Sequence, residues 1–426
     1  MNGGHGRRAQ RDVVVTGIGA VTPVGNTAPD TWSALAAGIS GIGRISTFDP
    51  GSFSVRIAGQ VRDLPDAPAA MDLSRWELLT RAGRFGVVAA AEAVADAGGF
   101  AAHHEPGNRG VFVGGHVGRP EPEELAQIGL VRRRSAGAEI HRRDPESTLR
   151  CDQGVDLAAI AEVAGCRGPI SGISTACASA THAIGEAMRR IQAGEITMAV
   201  AGGQDSLTTW LDVSGFALLG ALTTRYNDDP TRASRPFDAE RDGFVLGEGS
   251  VLMVLEDRRI AEVRGARILG RVSGYASTMN AYRITDSPPD GGGSITAMAN
   301  AIADAGVEPD AVDCVYAHGT STPGNDISET AAIKKVFGAH AYELLVTSPK
   351  SMTGHLTAGA GALNVLGALY GFRDGLVTPT INLEHPDPKL DLDYVPNHAR
   401  ASEVSTAVVN SFAFGGTNAS LVLEAP

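Results

Sequence analysis

At 426 residues the chain is long enough for two core-sized units or one large duplicated domain. It is 43% apolar and 20% charged, as a soluble globular protein is, and its net charge of −12 excludes non-specific nucleic-acid binding, which needs clustered positive charge. Four cysteines with no CxxC or metal-ligand spacing suit a reducing compartment and give no disulfide framework. No apolar run approaches ~18 residues, so no membrane span is expected, and a cytoplasmic location follows.

Residues 1–10 are polar, lack the apolar core of a secretory signal and read as a disordered leader. Arg11–Ala20 begins as an apolar strand (V-V-V) and is expected to run into a glycine-rich loop at Gly17, Gly19 and Gly25. This is not a dinucleotide fingerprint, because Thr22 stands where the third glycine belongs. Helices are expected at Thr31–Ala37 and Arg75–Gly98, and a buried strand at Arg109–Gly115. Arg119–Arg150 changes character: charged, proline-containing, with Arg132–Arg134 and Arg142–Arg143, it reads as a solvated excursion. Val155–Val163 resumes helix, Ile196–Gly203 and Val251–Leu255 are strands, and the alternation suggests a largely parallel sheet.

The second part repeats the pattern. Arg267–Ser273 is a strand, Gly293–Asp304 a helix, Asp313–Gly319 a strand, Ala358–Phe372 a helix and Thr406–Asn410 a strand. The charged connector Asp257–Arg267 has no proline and is too stiff to let the halves move independently. The expected division is therefore 11–262 and 263–426, with a cleft between them that draws residues from both.

Gly172–Gly185 (G-I-S-T-A-C-A-S-A-T-H-A-I-G) holds the first candidate for chemistry. Ile184, Ala187, Met188 and Ile191 have helical spacing, so Cys177 sits on a turn entering a helix, where backbone N–H groups and the helix dipole favour a thiolate. The second half offers His318 at a strand end, His355 beside Gly354, and a glycine-rich segment with Phe412 and Phe414. A cysteine plus two imidazoles in small-residue loops makes a nucleophile with two polar partners.

The motifs T-A-C-A-S-A, H-G-T-S-T-P, K-S-M-T-G-H and F-A-F-G-G-T-N, in this order, resemble the β-ketoacyl-acyl carrier protein synthases of the thiolase superfamily. V-T-G-I-G-A-V-T-P-V-G and the segment Ser234–Gly249 extend the likeness, whose closest branch is the elongating synthases of type II fatty acid and polyketide systems. The resemblance implies an α/β thiolase-like fold of two duplicated halves in α-β-α-β-α layers. It implies that Cys177 accepts an acyl group, that His318 and His355 assist malonyl decarboxylation, and that Lys350 and Glu329 support the histidine loops. It further implies an oxyanion hole from the backbone N–H groups of Cys177 and Phe414, an aromatic gate at Phe412 and Phe414, and a substrate pocket including Phe244, Val117, Thr320 and Thr322.

No metal or chain-bound cofactor is implied; phosphopantetheine arrives on an acyl carrier protein. The implied assembly is a homodimer or a heterodimer with a chain-length-factor-like subunit. The chain departs from the family pattern at Ala413, whose Cβ would restrict positive φ in the gate, and at Asp152, Gln153 and Asp156, polar where apolar residues are expected. A decarboxylative condensing enzyme is the reading these residues support. A non-catalytic chain-length-factor-like subunit is the alternative, and the presence of Cys177, His318 and His355 argues against it.

Overall fold

Val13–Val21 (β1) is buried from end to end, as a run inside a sheet covered on both faces must be. The strand continues through Gly17 and Gly19, where a loop was expected, and turns only at Thr22–Gly25, whose backbones bond across at 2.8 Å. The cause is steric. Helix Arg81–Ala97 (α1) lies so close that a Cβ at Gly17 would fall 2.2 Å from Ala93 O, and one at Gly19 2.1 Å from Ala89 O. The computed structural model describes residues 11–115, 121–139 and 145–426. The leader 1–10, Val117 and the pair Arg142–Arg143 lie outside the described residues.

Nine more strands join β1 in one sheet: Arg109–Gly114 (β2), Ile170–Ile173 (β3), Met198–Ser206 (β4), Glu248–Asp257 (β5), Gly270–Met279 (β6), Cys314–Tyr316 (β7), Leu345–Thr347 (β8), Thr406–Phe412 (β9) and Thr417–Glu424 (β10). Their order is β3-β2-β4-β5-β1-β6-β10-β9-β7-β8. Read outward from the β1–β6 junction, both arms place their strands in the same sequence order, so the topology itself is duplicated. The sheet is mixed rather than largely parallel. Pairings are parallel only on the outer flanks (β2 with β3 and β4, β7 with β8 and β9) and antiparallel through the middle. Each arm ends in a returning antiparallel strand, which the helix–strand alternation did not reveal.

Helices make the other layers. Ser179–Ala193 (α3) and Ala360–Asp374 (α6) pack together between the arms in one apolar core. α6 is buried all round from Ala360 to Gly371, as a central-layer helix must be. α1 and Gln153–Val163 (α2) cover the outer face of the first arm, and Gly292–Ala305 (α4) with Pro323–Phe337 (α5) that of the second. The layers run α-β-α-β-α. No helix among the described residues is long and apolar enough to cross a membrane.

Two local expectations change. Arg75–Gly98 is not one helix: Leu73–Leu78 ends at Leu79, and Thr80 caps α1 by accepting from Gly83 N at 2.9 Å. The excursion 119–150 includes helices Pro122–Arg134 and Pro145–Arg150, with Arg132, Arg133 and Arg134 exposed on the first.

One buried carboxylate ties β1 and β5 to the connector. Glu256 accepts from Thr16, from Arg264 Nε at 2.8 Å and pairs with His104 Nε2 at 2.7 Å. Burial alone would raise its pKa, but bonds from His104, Arg264 and Thr16 outweigh that and hold it at about 2. A depressed pKa contributes stability in full above the unfolded value of 4.5, and that contribution is lost as pH falls through about 2. Glu256→Gln should therefore cost about 3 kcal/mol in urea melts at neutral pH, with the gap to wild type closing as the melts are repeated at falling pH.

Candidate active site

Cys177 sits two residues before α3, on a turn held in strain. Ala176 has φ of +49°, a region a non-glycine residue enters only where its surroundings compel it. Ser179 supplies the constraint, accepting from Thr175 N at 2.9 Å and donating to Ala176 O at 2.6 Å. The backbone N–H groups of Phe414 and Cys177 itself face the sulfur. The thiolate expected from the sequence does not form. Burial pushes the Cys177 thiol up to about 12, and the nearby Lys350 charge and the two N–H groups only partly offset this. Desolvation outweighs the helix end because the sulfur lies outside the helix, recessed in the lining of a cavity.

The cavity, of about 240 Å³, takes residues from both halves and is lined by Cys177, His318, His355, Phe244, Thr320, Thr322, Phe412 and Phe414. The sulfur and a nitrogen of each imidazole lie within 4.8 Å of one another. The two rings meet edge to face, centroids 5.2 Å apart at 77°. His355 Nδ1 accepts from Thr357 N at 3.2 Å, which assigns its proton to Nε2, and Nε2 has no partner among the described residues. Burial, then the Lys350 charge, pulls both imidazoles well below the ordinary histidine range. At neutral pH the site therefore holds a thiol and two uncharged rings.

Lys350 and Glu329 lie behind the cavity wall. Glu329 accepts from His318 N and Gly319 N, each at 2.8 Å, and from Asn410 Nδ2 at 3.2 Å, fixing the turn that presents the His318 ring. Burial raises its pKa against the pull of those donors. Burial lowers the Lys350 ammonium against the attraction of Glu329, and Lys350 Nζ has no hydrogen-bond partner. Its charge acts on the site at a distance.

Phe244 packs edge-on to His355 at 5.6 Å and to Phe414 at 6.4 Å, and Phe412 lies 6.1 Å from His318. Ala413 has φ of −104°, an extended conformation any residue adopts, so its Cβ does not strain the segment as expected. Positive φ falls instead on Gly415 and Gly416, at +85° and +83°.

Sequence reasoning missed several contributors. Asp205 lines the cavity, and its Oδ2 accepts from Ala358 N at 3.1 Å and from Thr357 Oγ1, holding the turn after His355. Asp326 accepts from Thr320 N at 3.1 Å and Phe237 N at 2.9 Å and pairs with Arg241 at 3.4 Å. Both aspartates stood at recognisable places, one after a strand-ending glycine pair and one closing H-G-T-S-T-P-G-N-D. Most of their partners, however, are distant in sequence.

The profile of the β-ketoacyl synthase N-terminal domain matches residues 10–261, and that of the C-terminal domain residues 269–384. The chain belongs to the β-ketoacyl synthase family. The synthase is 41% identical over 423 residues to the 3-oxoacyl-[acyl-carrier-protein] synthase 2 of Synechocystis sp., covering 97% of this chain and 98% of that one. Its fold resembles the ketosynthase in the AntDE:AntF complex, a type II PKS acyl-carrier protein with its ketosynthase bound to the hexaketide, with a TM-score of 0.87 and 32% identity over 98% of this chain and 100% of that one. A β-ketoacyl synthase from Burkholderia phymatum matches with the same TM-score, identity and coverage.

A buried thiol predicts a specific reactivity. Alkylation of Cys177 in this synthase by iodoacetamide, followed by peptide mass spectrometry, should rise about tenfold per pH unit from roughly pH 7 to 10. A plateau above neutral pH would show a preformed thiolate.

Proposed function

We propose that the protein elongates acyl chains by decarboxylative Claisen condensation on Cys177, using malonyl-acyl carrier protein as extender in a type II fatty acid or polyketide system. The Cys177 thiol attacks the thioester carbonyl of an acyl carrier protein; the new C–S bond forms, the carrier's C–S bond breaks, and the proton leaves on the phosphopantetheine thiol. The N–H groups of Cys177 and Phe414 receive the carbonyl oxygen as it becomes an oxyanion. The malonyl thioester then loses carbon dioxide. Its C–C bonding pair becomes an enolate whose oxygen is held by the two imidazoles, His355 through Nε2–H.

The enolate carbon attacks the acyl-Cys177 carbonyl, the S–C bond breaks, and Cys177 recovers a proton from solvent. A β-ketoacyl chain two carbons longer remains on the carrier. The observation that carries this reading is the pair of buried imidazoles with a ring nitrogen of each within 4.8 Å of the Cys177 sulfur. Neutral donors stabilise the enolate, and an oxyanion hole beside the sulfur serves the transfer. Glu329 and Lys350 act as positioning residues, and Phe412 and Phe414 as the gate.

Edge strand β3 favours a dimer. Ile170 is 48% exposed there, on a strand with an open hydrogen-bonding edge, and a second synthase subunit would extend the sheet. Another copy of this chain or a chain-length-factor-like subunit could serve.

Intact-mass spectrometry after mixing with acyl carrier-protein thioesters tests the reading. Wild type should gain one acyl group and Cys177→Ala none. His355→Ala should still load but release carbon dioxide from malonyl carrier protein about a hundredfold more slowly. Absence of loading with every thioester and with added partner subunits would refute the proposal.

A further inference from the structure

A second cavity of about 210 Å³ lies beside the first and shares Asp205 and Leu207 with it. The end of β4 separates the two. Successive strand residues face opposite sides, so Asp205 turns to the reaction cavity while Gln204 and Ser206 turn away from it. The wall of this second space is polar, formed by Gln153, Asp156, Gln204, Arg81 and Thr208.

The polar groups are built in. A Cβ at Gly83 would fall 2.1 Å from Asp156 Oδ1, one at Gly86 1.6 Å from Gln204 Oε1, and one at Gly115 2.7 Å from Gln153 Nε2. Each polar side chain thus rests on a glycine that leaves it room. Arg81 is already matched: its Nε donates to Glu248 Oε2 at 3.0 Å, and Ser206 and Thr208 donate to the same oxygen at 2.7 and 2.8 Å. Asp156 accepts from Thr80 Oγ1 at 2.9 Å, and burial pushes its carboxyl up to about 7, so much of it is uncharged at neutral pH. Gln204, only 3% exposed, reaches Asp156 at 3.4 Å through Nε2, while its Oε1 has no partner. Turning the amide over leaves the nitrogen open instead. Either way a buried polar atom in this wall lacks a partner among the described residues, which is unfavourable.

We infer that this cavity receives the far end of the acyl chain carried on Cys177, and that it selects chains ending in a group that both donates and accepts hydrogen bonds, a hydroxyl or a carboxamide. The inference rests on the condensing-enzyme reading. A plain alkyl end would leave Gln204 unsatisfied and desolvate Asp156 without compensation.

Acylation of Cys177 measured by intact mass decides it, with pantetheine thioesters from hexanoyl to tetradecanoyl, their ω-hydroxy and ω-carboxamide counterparts, and acetyl as control. At the lengths that reach the cavity, wild type should load polar-ended chains about tenfold faster or more than alkyl chains of equal length. Gln204→Leu should bring that ratio to about one or below while acetyl loading is unchanged. Asp156→Asn, which keeps the side-chain shape, should reduce the ratio without abolishing it, and gives the same information if Gln204→Leu does not fold. Alkyl chains loading as fast as polar ones at every length on wild type would overturn the inference. Failure of acetyl and all longer chains to load would instead count against the condensing reading itself.

Discussion

Burial of the reacting groups is the constraint on which the rest of the structure depends. Cys177, His318, His355 and Lys350 are brought together where the two arms of the sheet and the central helices α3 and α6 converge. Desolvation there sets each protonation state: the thiol is held up, and the imidazoles and the ammonium are held down. Such a cluster costs stability, because few of its polar atoms find partners; His318 Nδ1, His355 Nε2 and Lys350 Nζ have none among the described residues. The surrounding core has to supply what the site gives up, and α6, buried on every side, is part of that supply.

The same constraint explains the backbone. Non-glycine residues with positive φ occur beside the reacting groups, at Ala176 before Cys177, Ser321 in the His318 loop and Thr357 after His355. Ser179 holds Ala176 locally, and the other two are held by residues far away in the chain: Ser321 Oγ accepts from Arg235 N at 3.1 Å, and Thr357 Oγ1 donates to Asp205. Strain at these positions points the thiol and the imidazoles into one cavity, and the carboxylates Glu329, Asp326 and Asp205 lock the turns from behind.

Much of this was legible in the sequence. A period-matched apolar run located α3, an alanine- and glycine-rich stretch located α6, and the repeated order of elements foretold the duplicated arms. The glycines of β1 misled because their spacing resembles a turn, whereas their role is to admit α1, a contact made across some seventy residues. Antiparallel strand returns, the break at Thr80 and the bracing by Asp205 depend on such distant partners as well. The expected thiolate failed for a different reason. A helix N-terminus was visible in the sequence, but the depth of burial that overrides it was not. The polar residues Asp152, Gln153 and Asp156 stood out against the family pattern, yet only the fold shows that Gln153 and Asp156 join Gln204 around one cavity.

The central claim is that burial keeps both imidazoles uncharged and ready to donate. Nitrogen-15 NMR of histidine-labelled protein tests it most directly, with His318→Asn and His355→Asn used to assign the signals. The account predicts neutral-ring shifts for both residues across roughly pH 6 to 9, with His355 protonated at Nε2. An imidazolium signal from either ring near neutral pH, titrating around the ordinary histidine value of about 6.5, would contradict it.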